Sequence, residues 1–435
     1  MAIDFEKGKS IELTDGTRVT VEKKFGEGGQ GAVYLVKDSA GRPFALKWYT
    51  SPDIKKNDAF YKNLGNNIAL GSPHHNFLWP LKLTKRQEGS FGYIMDVRPE
   101  GYSELGHFFV PSRHPEAVFK SYIVRLNAAI NVVNAFINLH LKGFSYKDIN
   151  DGNFFINPKT GDVLICDNDN VTANDIQGMI SGKPRYMAPE IVHGRSKPNI
   201  NSDKLSLAII LYRIMMIDHP YEGKRTLVDC LTTDIEKRIY GDEAVFCWDK
   251  DLDVNRPTKD AHTCSIYYWA NSPKSLREMF VRALSRKAIM IPGERVENRE
   301  WKKLLLRLRA THMVCPSGRH DMLSEGSETM CPRCGTRIDV SAIPSLRFKD
   351  GTRYLITPGK PFYPDDSMRA IGIGDTYANN GKKETALKNI SRNNWVLVTP
   401  SGRTMTIEPG KIMPLRPGMT LTFSGQMNCE ICNGL

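Results

Sequence analysis

Apolar and polar positions alternate through "IELTDGTRVTVEKKF", residues 11–25, and the alternation breaks at Asp15-Gly16. That pattern predicts two strands joined by a turn. "AVYLVKD", the turn "SAGRP" and "FALKWY" predict a second hairpin, and "GYIMDVRP" a short buried strand. "NDAFYKNLGNNIALG" between them has a weak helical period. From Glu116 to Leu141 the chain is apolar on most of a helical circumference, which predicts a long buried helix. "NFFINPKTGDVLICD" reads as a hairpin, and helical periods return at 203–217, 273–286 and 297–311. Residues 312–340 are poor in apolar positions. From residue 343 strand signals resume with repeated turns and no helical period, as in a small β-sandwich.

Composition changes this picture little. The 435 residues are 40% hydrophobic and 25% charged, ordinary for globular domains. No unbroken apolar run reaches the roughly 18 residues of a membrane span, and the first residues lack a signal-peptide core. A cytoplasmic protein without a membrane segment is the expectation. The net charge of +12 comes from scattered Lys and Arg, without the basic, aromatic-interleaved tract of a nucleic-acid binder.

Chemistry concentrates in a few short stretches. In "GEGGQGAVY", Gly26, Gly28 and Gly31 have G-x-G-x-x-G spacing, with Val33 two residues on. Strand residues follow, so the expected form is a loop over phosphates between two strands rather than a dinucleotide-binding turn into a helix. Lys47, sixteen residues after Gly31, lies on the next strand. "YKDINDGN" holds Asp148 and Asn153, and "CDNDN" holds Asp167, fourteen residues after Asn153.

These motifs resemble the eukaryotic-like protein kinases over about residues 20–309. The resemblance implies an α+β, bilobal protein-kinase fold and phosphoryl transfer by positioning and charge neutralisation. It implies ATP over Gly26, Gly28, Gly31 and Val33, against Lys47, Met95 and Val97. Asn153 and Asp167 would hold Mg2+, and Asp148 would orient the acceptor hydroxyl and take its proton. Asp169 is a rival metal ligand that spacing disfavours. In "GKPRYMAPE", Glu190 would pair with Arg295. Asp203 would cap the next helix and tie down the catalytic loop.

Departures from the family pattern are specific. Tyr146 and Lys147 stand where His-Arg is usual, and Asn168-Asp169 where Phe-Gly is usual. No glutamate lies between Lys47 and Glu88 to pair with the lysine. Asp58 is the acid best placed in sequence, while Asn66 or Asn67 lies nearer the expected position and could orient Lys47 by an amide oxygen. Asn150 replaces the usual lysine after the catalytic aspartate, and Lys183 replaces a threonine, so Lys183 is expected to supply the charge Asn150 lacks. Thr172 and Ser181 are the candidate hydroxyls for phosphorylation in the short segment between Asp167 and Glu190, and neither is expected to be modified.

Cys315-x4-His320 followed by Cys331-x2-Cys334 is a zinc-ligand pattern for a closed structural site. Cys429 and Cys432 have few companions and are expected to be a reduced pair. The tail resembles a forkhead-associated domain in "TALKNISRNNWVLVTPSGRTMTIEPGKIMPLRPGMTLTF". It offers Arg369 but no Ser-x-x-His loop for phosphothreonine, so docking or packing is an equal expectation. The organisation expected is 1–97 upper lobe, 98–311 lower lobe, 312–340 zinc ribbon or knuckle, and 341–435 β-sandwich. The combination resembles bacterial kinases of phosphorylation triads, which implies a metal-dependent protein phosphatase and a von Willebrand A-type protein as partners. Two functions fit: an ATP–Mg-dependent Ser/Thr protein kinase, acting on a protein substrate or itself, and a nucleotide-binding pseudokinase scaffold. A small-molecule kinase fits less well, because the Ala-Pro-Glu segment shapes a peptide-docking surface in the family.

Overall fold

A computed structural model describes residues 4–174, 182–318, 320–423 and 427–435. Ser181 lies outside the described residues. Strands β1 (Ser10–Glu12), β2 (Arg18–Glu27), β3 (Gly31–Asp38), β4 (Pro43–Tyr49), β5 (Lys82–Leu83) and β6 (Gly92–Met95) form one sheet in the order β1-β2-β3-β4-β6-β5. Alternation along β4 divides its side chains between the two faces. Leu46 and Trp48 pack with Ile11, Val21 and Tyr34, while Ala45 and Tyr49 pack with Phe60, Leu64 and Met95. Helix α1 (Pro52–Lys55) is one turn. Helix α2 (Asp58–Leu70) starts where the Asn57 side chain accepts from the Phe60 amide at 2.9 Å, and it ends at Gly71, whose φ is +70°.

The lower lobe is helical. Its core pair is α3 (Tyr122–Leu141) and, after the short α4 (Pro189–Val192), α5 (Ile200–Met216). Helix α3 has the length and hydropathy of a membrane span, but 83% of that window is buried within the fold, as in a core helix. It begins at Tyr122 rather than Glu116, because the Ser121 side chain caps it by accepting from the Val124 amide. Asn199, not Asp203, caps α5, accepting from the Asn201 and Ser202 amides. Helices α6 (Thr233–Tyr240), α7 (Thr263–Ala270), α8 (Lys274–Ala283) and α9 (Arg286–Met290) surround the pair, and α10 (Asn298–Thr311) packs on α3. The predicted hairpin at the cleft pairs Phe154–Ile156 with Val163–Ile165.

Beyond α10, two short hairpins (312–323 and 328–339) precede a pair of sheets, one of six strands and one of four. Leu346, Phe362, Leu387, Trp395, Leu421 and Ile431 form the core of this tail, and Ala310 of α10 joins it. Arg309, 1% exposed, fastens tail to lobe. It donates to Asn127 Oδ1 of α3 and to the Ser367 carbonyl, both at 3.2 Å, and its guanidinium lies 4.5 Å from the Tyr363 ring centre. Asp321 accepts from the Tyr122 and Ile123 amides at the start of α3. Cys429 and Cys432 are three apart on one strand and so face opposite sides of the sheet, away from a common ion.

Candidate active site

The cleft between the lobes gathers the side chains singled out in sequence. Val33, Met95 and Val97 of the upper lobe meet Leu164 and Cys166 of the lower-lobe hairpin in one apolar cluster. The glycines of the loop differ in what demands them. A Cβ on Gly31 would sit 2.0 Å from the Trp48 carbonyl oxygen, so β3 and β4 can approach only without one. Around Gly26 and Gly28 there is open space, and Gly28 closes the hairpin by donating to the Gly31 carbonyl at 2.9 Å.

Lys47 is buried, and three acceptors surround its ammonium. Asp169 Oδ2 lies at 2.8 Å, Gln30 Oε1 at 2.9 Å and Asp167 Oδ1 at 3.3 Å. Burial disfavours its charge, but Asp169 and then Asp167 outweigh burial and hold its pKa above the ordinary lysine value. Asp169 is 0% exposed and also accepts from the Tyr49 hydroxyl at 2.6 Å. Asp167 is 40% exposed and faces the cleft. Its φ of +53° is left-handed, a conformation a short polar side chain tolerates better than most.

The catalytic-loop region is tied from several sides. Asp203 accepts from the Tyr146 and Lys147 amides at 2.7 and 3.2 Å, which is the tethering role expected of it. Tyr146 is buried against Phe77 and Phe136, and its hydroxyl donates to the Cys166 carbonyl. The Lys147 ammonium reaches the buried Thr172 hydroxyl. The Thr172 hydroxyl is thus engaged within the fold. Asn153 donates to the Asp148 carbonyl at 2.8 Å, and Asn150 donates to Asp148 Oδ1 at 2.9 Å. Burial raises the Asp148 carboxyl above its ordinary pKa. The amides of Asn150 and Asn153 pull it down, Asp167 raises it, and Lys183 lowers it. Lys183 also lies 3.8 Å from Asp151, whose other oxygen accepts from Arg213 at 3.0 Å.

Glu190 and Arg295 form the expected two-pronged pair at 2.8 and 2.9 Å. The expectation for Lys47 is corrected. Asn66 is exposed, and Asn67 donates to the Val171 carbonyl at 2.7 Å, as Asn63 does at 3.1 Å. Asp58 pairs with Arg86 at 2.6 Å. The carboxylates on the lysine come from the loop after the hairpin, not from α2. Asn168, in place of an apolar side chain, donates to the Leu78 and Ile165 carbonyls at 2.8 and 2.9 Å. Sequence reasoning missed Gln30 and Tyr49. Tyr49 carried a signal, since it stands two residues from Lys47 on one strand and so shares its face.

In the tail, the Cys315, Cys331 and Cys334 sulfurs lie within 4.8 Å of one another. Cys315 and Cys334 are 3.6 Å apart, and His320 Nδ1 is 3.9 Å from the Cys331 sulfur. Arg369 is exposed.

Comparison with known proteins bears on the cleft. The family profile described as "Protein kinase domain" matches residues 19–282. The chain is 28% identical over 214 residues to serine/threonine-protein kinase AtPK1/AtPK6 of Arabidopsis thaliana, covering 47% of this chain and 43% of that one. It is 25% identical over 254 residues to serine/threonine-protein kinase nrc-2 of Neurospora crassa, covering 49% and 39%. It therefore spans less than half the length of these curated relatives. Among solved structures, the PknI kinase domain of Mycobacterium tuberculosis is similar at 19% identity and a TM-score of 0.44, over 70% of this chain and 99% of that one.

Proposed function

The chain belongs to the protein kinase domain family, and from that premise we propose that it is an ATP- and magnesium-dependent kinase of protein Ser and Thr hydroxyls. One observation carries the proposal: Lys47, Asp148, Asn153 and Asp167 converge on one cleft, with the lysine ammonium 3.3 Å from Asp167. A scaffold has no need of all four.

The residues present fit a divalent cation. Asp167 offers a part-exposed carboxylate, and Asn153 spends its amide NH2 on Asp148, which leaves its oxygen as a donor. When bound, Mg2+ neutralises phosphate charge and orients the transferred group. Lys47 holds the phosphates by its ammonium, and the open space around Gly26 and Gly28 leaves them room beside the loop. Asp148, whose ionised form the Asn150 and Asn153 amides favour against burial, orients the acceptor hydroxyl and takes its proton. Lys183 adds positive charge beside it, in place of the lysine that Asn150 has displaced.

The cysteine cluster fits a structural zinc. Tetrahedral Zn–S bonds of about 2.3 Å separate two sulfurs by about 3.8 Å, close to the 3.6 Å between Cys315 and Cys334. Cys331 and His320 complete the ligand set, and such thiolates suit the reducing cytoplasm. The forkhead-like tail acts in docking and packing. Its partners, a metal-dependent phosphatase and a von Willebrand A-type protein, follow from the resemblance.

The test is phosphate transfer from labelled ATP and magnesium to a general Ser/Thr protein substrate, with Asp148→Ala as control. Transfer by wild type and at least a hundredfold loss in the variant support the proposal. Equal labelling by both makes the chain a nucleotide-binding scaffold.

A further inference from the structure

We infer that the carboxylate positioning Lys47 resides in the loop rather than the helix: Asp169 is the fixed counter-ion that sets the ammonium for the nucleotide phosphates. The inference rests on the kinase reading above.

A lysine ammonium has three protons, and three acceptors face this one. Gln30 is neutral and sits within the turn between β2 and β3, while Asp167 is 40% exposed to the cleft. Asp169 is both charged and wholly buried, 2.8 Å from Nζ. The Tyr49 hydroxyl, on the same face of β4 as Lys47, braces the carboxylate at 2.6 Å. An incoming phosphate oxygen can replace the Gln30 amide without stranding a charge. Displacing Asp169 would leave a buried carboxylate without its counter-ion, which is strongly unfavourable. Asp169 therefore stays while the other acceptors exchange.

Helix α2 acts at one remove. Asn63 and Asn67 both donate to the carbonyl of Val171, two residues beyond Asp169. They clamp the segment that carries the counter-ion and leave the lysine to it. Asp169 is thus a positioning residue. It shares a loop with Asp167, so the lysine and the proposed metal ligand are set by one short segment, with no helix glutamate to swing in.

The test is a double-mutant cycle on ADP affinity, measured by calorimetry on the full chain without magnesium. Asp169→Asn keeps the side-chain shape and is expected to weaken ADP about tenfold, as is Lys47→Met. The double variant should be no weaker than Lys47→Met alone. In turnover, Asp169→Asn should raise KM for ATP by more than it lowers kcat. Additive losses or unchanged affinity overturn the inference. So does a loss seen only with magnesium present, which would make Asp169 a metal ligand. Tyr49→Phe, which removes only the brace, should weaken ADP about threefold. It decides the matter should Asp169→Asn fail to fold, and unchanged affinity there overturns the inference. Wild type that binds ADP but transfers no phosphate refutes the kinase reading alone, and the ADP cycle still decides this one. Wild type that binds no ADP overturns both.

Discussion

At the scale of single residues, Asp148 shows how one carboxylate is tuned by neighbours of unlike kind. Burial pushes its pKa up, and the Asn150 and Asn153 amides favour the ionised form. A proton acceptor must be ionised, so phosphotransfer should fall on the acid side at a pH above the ordinary aspartate value. Asn150→Ala removes a donor to the carboxylate and is expected to move that acid limb to higher pH in a kcat–pH profile. A limb that stays in place would show that the hydrogen bond does not tune the base. Lys183→Ala should lower kcat about tenfold. Unchanged rates would sink the idea that Lys183 supplies the charge missing at Asn150. The positions of Asp148, Asn153 and Asp167 were legible in sequence because spacing along a loop and hairpin is a local property. The partner of Lys47 was not, because Asp169 lies far away in sequence and reaches the lysine only through the packing of one lobe on the other.

At the scale of elements, one motif contains glycines with different physical reasons. Gly31 is required by the approach of β3 to the Trp48 carbonyl, 2.0 Å from where a Cβ would stand. Gly31→Ala must push two paired strands apart and should lower the melting temperature by several degrees, with little soluble protein at 37 °C. Gly28→Ala meets open space and should leave the melting temperature within a degree or two, so any effect should appear in nucleotide binding. Equal thermal behaviour of the two variants would refute this division. The sequence pattern could not separate them, since both glycines satisfy the same spacing. The Glu190–Arg295 pair is different, because its members were named from sequence and meet in two hydrogen bonds. Arg295 is buried, and Arg295→Met leaves Glu190 without its partner. The expected loss is about 3–5 kcal/mol, to be read by urea denaturation. A loss under about 1 kcal/mol would mean the carboxylate finds solvent instead.

At the scale of the whole molecule, the tail is built onto the lower lobe rather than tethered to it. Asp321 and Tyr363 bind α3 directly, Arg309 of α10 donates to the Ser367 carbonyl, and Ala310 belongs to the tail's own core. Metal loss should therefore be felt beyond the cysteine hairpins. The chain purified without chelator is expected to carry one zinc per molecule by elemental analysis. Its removal, or Cys331→Ser, should lower the melting temperature of the lobe together with the tail. Absence of zinc in such a preparation would discard the site. The sequence alone determined the strand-rich character of the upper lobe, the long core helix of the lower one and the spacing of Asp148, Asn153 and Asp167, because periodicity, turn chemistry and short spacings act over a few residues. The tertiary structure alone decided which carboxylate holds Lys47, why Gly31 must be glycine and how the tail seats on α3. Each depends on groups far apart in sequence, whose meeting is set by packing and by the cost of leaving a buried charge or polar group unpaired.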